Sequence, residues 1–257
     1  MLERESAVAQ RAARRAGDTL TRRLGTTNPI MKKGEIDLVT EADLAAEQAI
    51  LDIIGEAFPE DSILSEEAGM REAPSSRTWI IDPLDGTTNY AHRFPFFAVS
   101  IALSIRNEVV LGVVYNPCMG EFFLAQKGRG TSLNGERLYV TQTAGLKNAL
   151  LATGFPYDVH ERPDRVMTLF KRFLVRAQGI RRLGTAALDM CYVAAGRLEG
   201  FWEQGLKPWD TAAGDILVRE AGGHVTTFSG AEYTPYEETV VASNGLIHED
   251  MVAVLAR

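Results

Sequence analysis

The sequence predicts an α+β protein, with helices flanking an antiparallel sheet in its first half and alternating helices and strands in its second. Two observations carry this. First, residues 97–105, 109–115 and 121–125 are β-branched and aromatic runs, joined by Arg106-Asn107-Glu108 and by Asn116-Pro117-Cys118-Met119-Gly120. Connections that short indicate antiparallel hairpins. Second, from Ala149 onward strand-like runs (149–152, 198–202, 224–227, 240–243) alternate with helix-like ones (164–175, 184–195, a segment opened by Pro208, and a last one from Leu246). That alternation is the mark of an α/β layer. The pattern changes near Gly145, so two parts are expected, 1–145 and 146–257, with no linker-like composition between them.

A chain of 257 residues with 46% hydrophobic content suits one large domain or two small ones. Its net charge of -7 argues against binding nucleic acid through overall basicity, and leaves open a small anionic substrate held by metal. Cys118 and Cys191 are too few for a disulfide framework and form no CxxC pair, which fits a reducing cytoplasm. Residues 1–5 lack an apolar signal core and no run is long enough to span a bilayer, so a cytoplasmic protein without a membrane partner is expected. His92, His160, His224 and His248 are scattered without an HxxxH pair, which gives a His-rich zinc site little support.

In chain order, Val8, Ala12, Ala16 and Leu20 recur at helical spacing among arginines, a first amphipathic helix with a solvated basic face. Residues 25–34 read as a loop with Pro29 and the pair Lys32-Lys33, either an ordinary surface loop or a flap carrying a cation. Ala46, Ala49, Ile50, Ile53, Ile54 and Ala57 mark a second helix. Thr40 and Asp43 before them resemble a capping box, which would make Asp43 a structural acid; the alternative is an acid that accepts a proton at a reaction centre. Residues 62–65 read as a short strand ending in Glu66-Glu67, a common surface pair that becomes a candidate ligand source only through its neighbours. Side chains alternate along a strand, so one of the two glutamates is expected to face a site.

Residues 79–90 (Trp-Ile-Ile-Asp-Pro-Leu-Asp-Gly-Thr-Thr-Asn-Tyr) begin as a buried strand and end in a turn that can open a helix. Asp82 and Asp85 stand near the strand's carboxyl end, where two acids repel unless a cation lies between them. Gly86-Thr87-Thr88 offers amides and hydroxyls to an anion. Cation and anion sites side by side point to metal-assisted phosphate chemistry, against a plain turn cap and a solvated strand end. Further on, Lys171, Arg172, Arg176, Arg181 and Arg182 form a basic cluster, read as a solvated face or a patch for RNA, a partner protein or a phosphate. Pro208-Trp209-Asp210 opens a helix, where an acid also suits the dipole, and Gly222-Gly223 permit a left-handed cap at its end.

Asp43, Glu66-Glu67, Asp82-Pro83-Leu84-Asp85-Gly86-Thr87, Trp209-Asp210 and Gly222-Gly223 together resemble the signature of the inositol monophosphatase family, within the Mg²⁺-dependent, lithium-sensitive phosphatases. Gly154-Phe155-Pro156 and the run from Gly184 to Asp189 look like its bacterial branch. The resemblance covers 37–244 and implies a layered α-β-α-β-α fold, a homodimer, and two or three Mg²⁺ ions. By the same resemblance, Glu66, Asp82 and the Leu84 carbonyl would hold one ion, Asp82, Asp85 and Asp210 a second, and Glu66 would touch a third. Thr87 with Asp43 would activate water. Gly86, Thr87 and Thr88 would bind phosphate, and Glu203 would take a substrate hydroxyl. Gly184, Thr185 and Ala186, with Arg181 and Arg182, would set specificity.

The ligand set is all oxygen, as Mg²⁺ prefers, and two such ions suit an in-line displacement by water. The expected activity is hydrolysis of inositol 1-phosphate or a similar small polyol or sugar phosphate. Fructose 1,6-bisphosphate, histidinol phosphate and a nucleotide 3′-phosphate are alternatives on the same core. A regulatory protein binding RNA or transcription machinery is an alternative of another class, and the net charge opposes it. A structural Ca²⁺ protein lacks the DxDxDG loop it would need.

Overall fold

The computed structural model describes residues 2–25, 30–32, 38–156, 158–161 and 163–256, with side chains described for all of these except 30–32 and 38–40. The expected capping-box partner Thr40 therefore lies outside the described side chains, as do Pro29 and Lys33. Helix α1 (Glu3–Arg23) buries Val8, Ala12, Ala16 and Leu20 along one face, as their spacing predicts. The expected loop after it contains β1 (Ile30–Lys32), paired antiparallel with β2 (Leu38–Thr40). Three-residue strands leave too little periodicity to be read from sequence. Helix α2 (Glu41–Ala57) then packs beside α1.

An eight-stranded sheet follows. Its strands are β3 (Ser62–Ser65), β4 (Gly69–Arg71), β5 (Arg77–Asp85), β6 (Ala98–Ile105), β7 (Glu108–Asn116), β8 (Glu121–Gln126), β9 (Gly130–Leu133) and β10 (Glu136–Arg137), in the order β10-β9-β8-β7-β6-β5-β3-β4. The hairpins β6–β7 and β7–β8 are antiparallel as expected. One pair departs from the expected antiparallel sheet: β3 and β5 run parallel, with Ser65 opposite Ile81. The intervening β4 turns back along the sheet's edge, so β5 enters on the other side of β3 in the same direction. The carboxyl ends of β3 and β5 thus lie side by side. Between β5 and β6 stands the short helix α3 (Thr87–Ala91).

The second half contains β11 (Leu150–Thr153), α4 (Pro163–Leu174), β12 (Gly179–Arg181), α5 (Ala186–Ala194), β13 (Gly200–Gln204), α6 (Pro208–Glu220), β14 (His224–Thr226), β15 (Thr239–Ser243) and α7 (His248–Leu255). Its five strands order β12-β11-β13-β15-β14. Strand β11 is parallel to both neighbours, and the β13–β15–β14 side is antiparallel. Helices α1 and α2 cover the outer face of the large sheet, and α4 and α7 pack together beside the small one. Between the sheets lie α5 and α6, touching both. Every residue of α5 is buried, which is why that segment is apolar all round rather than along one stripe. The result is the α-β-α-β-α layering that the resemblance implied, with one apolar core joining Ile80 and Val114 of the first half to Leu188, Phe201 and Leu217 of the second.

Candidate active site

Asp82 and Asp85 are three residues apart, and on a regular strand they would point to opposite faces. They do not. The pairing of β5 with β6 shifts register between Asp82 and Asp85, and an irregularity of that kind re-aims a side chain. Both aspartates line one cavity of about 600 Å³. Asp82 accepts one hydrogen bond from the Leu84 amide at 2.9 Å. Asp85 accepts from the Ala187 amide at 2.8 Å, at the start of α5, where an acid suits the free N–H groups. Thr185 caps that helix, its hydroxyl accepting from the Leu188 amide at 3.2 Å.

Other elements bring further acids to the same cavity. Glu66 and Glu67 lie in the turn after β3 rather than on the strand, so alternation does not choose between them. Glu66 lines the cavity, and its amide donates to the Ile81 carbonyl of β5 at 3.2 Å. Asp210 is at the third position of α6, where its carboxyl accepts from the Lys207 amide at 2.7 Å. It serves the helix end and also lines the cavity. Glu203 arrives from β13 and sits so close to Gly154 that a Cβ there would lie 2.0 Å from its Oε1.

Four of these acids are raised by burial, and all of them but Asp210 by neighbouring acids as well. Asp82 is held well above the usual carboxylate range by burial, then by Glu66, Asp85 and Asp210. Asp85 is pushed up to about 8 by burial and Asp210, against the pull of the α5 amides. Burial raises the carboxyl of Asp210 to about 6, with the Lys207 amide and charge opposing. Glu203 rises to about 8 by burial and Asp210, with Arg182 opposing. A hard divalent cation fits this donor set, because it replaces mutual repulsion with attraction and takes oxygen ligands. Among the described residues no group of three acidic, His or Cys side chains is already drawn into a metal cage; the carboxylates share a cavity without closing on a point.

Beside the acids lies a small polar wall. Thr87 donates to the Leu84 carbonyl at 3.1 Å and stands 3.4 Å from Asp43 Oδ1, so one hydroxyl proton is divided between two acceptors. Asp43 itself is 1% exposed. Gly86 has φ +96, and a Cβ on it would meet Thr185 Cγ2 at 2.8 Å, so glycine is required where β5 meets the start of α5. Gly86, Thr87 and Thr88 line the cavity opposite Gly184, Thr185 and Ala186. The Asn89 side chain ties the two segments, donating to Phe96 O at 2.8 Å and Leu183 O at 2.9 Å.

Of the expected site residues, all but Asp43 and Arg181 line this cavity, and Asp43 reaches it through Thr87. Arg181 is exposed on β12 and does not line it, whereas Arg182 does, with its guanidinium 5.5 Å from the Phe155 ring centre. Sequence reasoning gave no site role to two polar residues of the lining. His160 lines the cavity from the segment after β11 and carried no signal. Asp189 also lines it, and its Oδ1 has no hydrogen-bond partner. Burial, then Glu203 and Asp85, hold Asp189 well above the usual range. Its signal was an acid inside the otherwise apolar Ala186–Ala194.

The family model of the inositol monophosphatases matches residues 1–257. The chain belongs to that family. It is 42% identical over 249 residues to a protein of Escherichia coli (strain K12) named Nus factor SuhB, covering 96% of this chain and 93% of that one. It is 43% identical over 251 residues to the inositol-1-monophosphatase of Synechocystis sp., covering 97% and 88%. The solved structure of the extragenic suppressor protein suhB from Bartonella henselae superposes with a TM-score of 0.93 at 40% identity, covering 98% of each chain. Among the described residues, no helix is long and apolar enough to cross a membrane.

Proposed function

We propose that this chain is a Mg²⁺-dependent phosphomonoesterase that hydrolyses a small polyol or sugar phosphate, with inositol 1-phosphate as the first candidate. The observation that carries the reading is the crowd of buried carboxylates, Asp82 above all, on one cavity beside Gly86, Thr87 and Thr88. Glu66, Asp82, the Leu84 carbonyl, Asp85 and Asp210 would hold two or three Mg²⁺ ions, which supply Lewis-acid stabilisation of phosphoryl oxygens and an acidified water. Asp43 takes the water proton through the Thr87 hydroxyl. The new P–O bond forms as the ester P–O bond breaks, and the alcohol leaves with a proton from solvent. The amides and hydroxyls from Gly86 to Thr88 hold the phosphate. Glu203 accepts from a hydroxyl of the leaving alcohol, with Gly184, Thr185 and Ala186 forming the wall beside it and Asp189 and Arg182 close by.

The test is turnover across a panel of polyol, sugar and nucleotide phosphates, with Mg²⁺ and with chelator. Mg²⁺-dependent release of phosphate from inositol 1-phosphate supports the reading. Full activity in chelator, or no activity on any ester, overturns it. A homodimer and a cytoplasmic location belong to the same proposal, and light scattering on the purified chain tests the first.

A second reading, a regulatory partner of RNA or transcription machinery, is favoured by the name of the Escherichia coli relative. Here Lys171, Arg176 and Arg181 are exposed beside Leu174 and Val175, which are 55% and 70% exposed. RNA binding that survives Asp85→Asn and is lost on charge reversal at Lys171 and Arg176 would separate this from catalysis.

A further inference from the structure

Helix α2 carries two buried acids one turn apart, Asp43 and Glu47, 1% and 5% exposed. Asp43 meets Thr87. Glu47 lines no part of the cavity, but a single oxygen of it, Oε1, accepts three hydrogen bonds. They come from the Ser65 hydroxyl at 2.5 Å, the Glu67 amide at 3.2 Å and the Ala68 amide at 2.9 Å. These donors bracket Glu66, one residue before it and two after. The Glu66 amide is itself pinned to the Ile81 carbonyl of β5. The turn is therefore hooked on one side to the strand that carries Asp82 and on the other to α2.

We infer that Glu47 is the positioning residue of the Glu66 turn, and that one face of α2 sets the place of both Glu66 and Asp43. This rests on the reading of the cavity as a Mg²⁺ site. A carboxylate acceptor binds backbone amides more strongly than a neutral one. Removing Glu47 leaves the amides of Glu67 and Ala68 and the Ser65 hydroxyl without their acceptor. The turn then loses the contact that aims Glu66 at the cavity. Residues at i and i+4 share one helix face, so the helix delivers both acids as a rigid pair.

The test is Glu47→Gln and Glu47→Ala in the full chain, with Mg²⁺ as the probe. Two readouts are taken: the Mg²⁺ concentration giving half-maximal turnover, and the rise in melting temperature that Mg²⁺ gives without substrate. Partners that orient a metal ligand typically contribute 10–100-fold in metal affinity. Glu47→Ala is expected to raise the half-saturating Mg²⁺ by about that factor, with a smaller fall in kcat at saturating Mg²⁺. Glu47→Gln, which keeps one acceptor oxygen, should recover part of the loss. Ser65→Ala, which removes one of the three donors, should show a milder shift and covers the case in which Glu47→Ala fails to fold. Unchanged Mg²⁺ dependence in the variants, with only a lower melting temperature, makes Glu47 a packing residue and overturns the inference while the phosphatase reading stands. If the parent chain shows no Mg²⁺ effect in either readout, both fall together.

Discussion

The two ends of β5 hold buried acids of opposite character. At its start, Arg77 and Trp79 serve Asp61, a carboxylate only 6% exposed. Asp61 accepts from the Arg77 guanidinium at 3.0 Å, the Trp79 indole at 2.9 Å and the Ser75 hydroxyl at 3.3 Å. At its carboxyl end Asp82, 1% exposed, receives the Leu84 amide and faces Glu66, Asp85 and Asp210. Burial is nearly the same, yet one acid is satisfied inside the protein and the other is set among like charges. Counting donors, rather than measuring exposure, separates an acid that holds the fold together from one left among like charges.

The largest expected effect lies at the strand's carboxyl end. Asp85→Asn keeps the shape and removes a charge, so turnover should fall on the order of 10³-fold while the chain melts near or above the parent temperature. A variant with near-parental turnover would remove Asp85 from the metal site and erase the contrast.

Next comes Asp43, for which the sequence left two readings. As the acid behind Thr87, Asp43→Asn should lower kcat about a hundredfold, with the melting temperature little changed. Thr87→Ala should lose a similar amount and the double variant little more, because the two would act as one unit. As a helix-cap acid alone, Asp43→Asn would instead melt lower and turn over normally.

At the other end of β5 the readouts exchange places. Asp61→Ala leaves the buried Trp79 indole without its acceptor and Arg77 with Glu5 alone, at 3.0 Å, which should cost about 1–3 kcal/mol, or roughly 2–12 °C in a chain of this size. Turnover per folded molecule should stay close to the parent. A large kinetic loss without a melting change would mean that the two ends are not separate.

The smallest effect is one of pH. Asp85 and Glu203 are raised to about 8 in the folded chain and titrate near 4 when unfolded. Between those values the folded state binds more protons, so stability without metal falls as pH rises. Between pH 7 and 8.5 the metal-free protein should lose a few degrees of melting temperature. His248, pushed down to about 4 by burial, is neutral when folded across this window and works in the other direction only at lower pH. Mg²⁺ should restore most at the higher pH. A metal-free melting temperature that rises between pH 7 and 8.5 would mean that the acids do not repel as the geometry indicates.

The sequence by itself determined the helices and the longer strands, because hydrophobic period and turn residues are local properties of the chain. Pro208 opening α6, and the hairpins from Ala98 to Gln126, were legible for that reason. The motif set also gave the family and singled out Asp82, Asp85, Glu66 and Asp210 before their surroundings were known. Two buried acids, one on the cavity and one behind it, left a local trace that went unread. Glu47 stands on the apolar face of α2 with Ala46, Ile50 and Ile54, and Asp189 interrupts the apolar α5. An acid on a buried face needs a partner, and the sequence does not say which.

Only the tertiary structure decided the rest. The irregularity between Asp82 and Asp85 brings onto one cavity two side chains that strand alternation would part. The parallel pairing of β3 with β5 sets the Glu66 turn beside them. Contacts across 102 residues, from the Ala187 amide to Asp85, bring the second half to the first. These are choices of partner between distant segments. Between strands far apart in the chain, register and pairing direction depend on which faces the assembled layers bury, and there is no short turn, as between β6, β7 and β8, to set them locally.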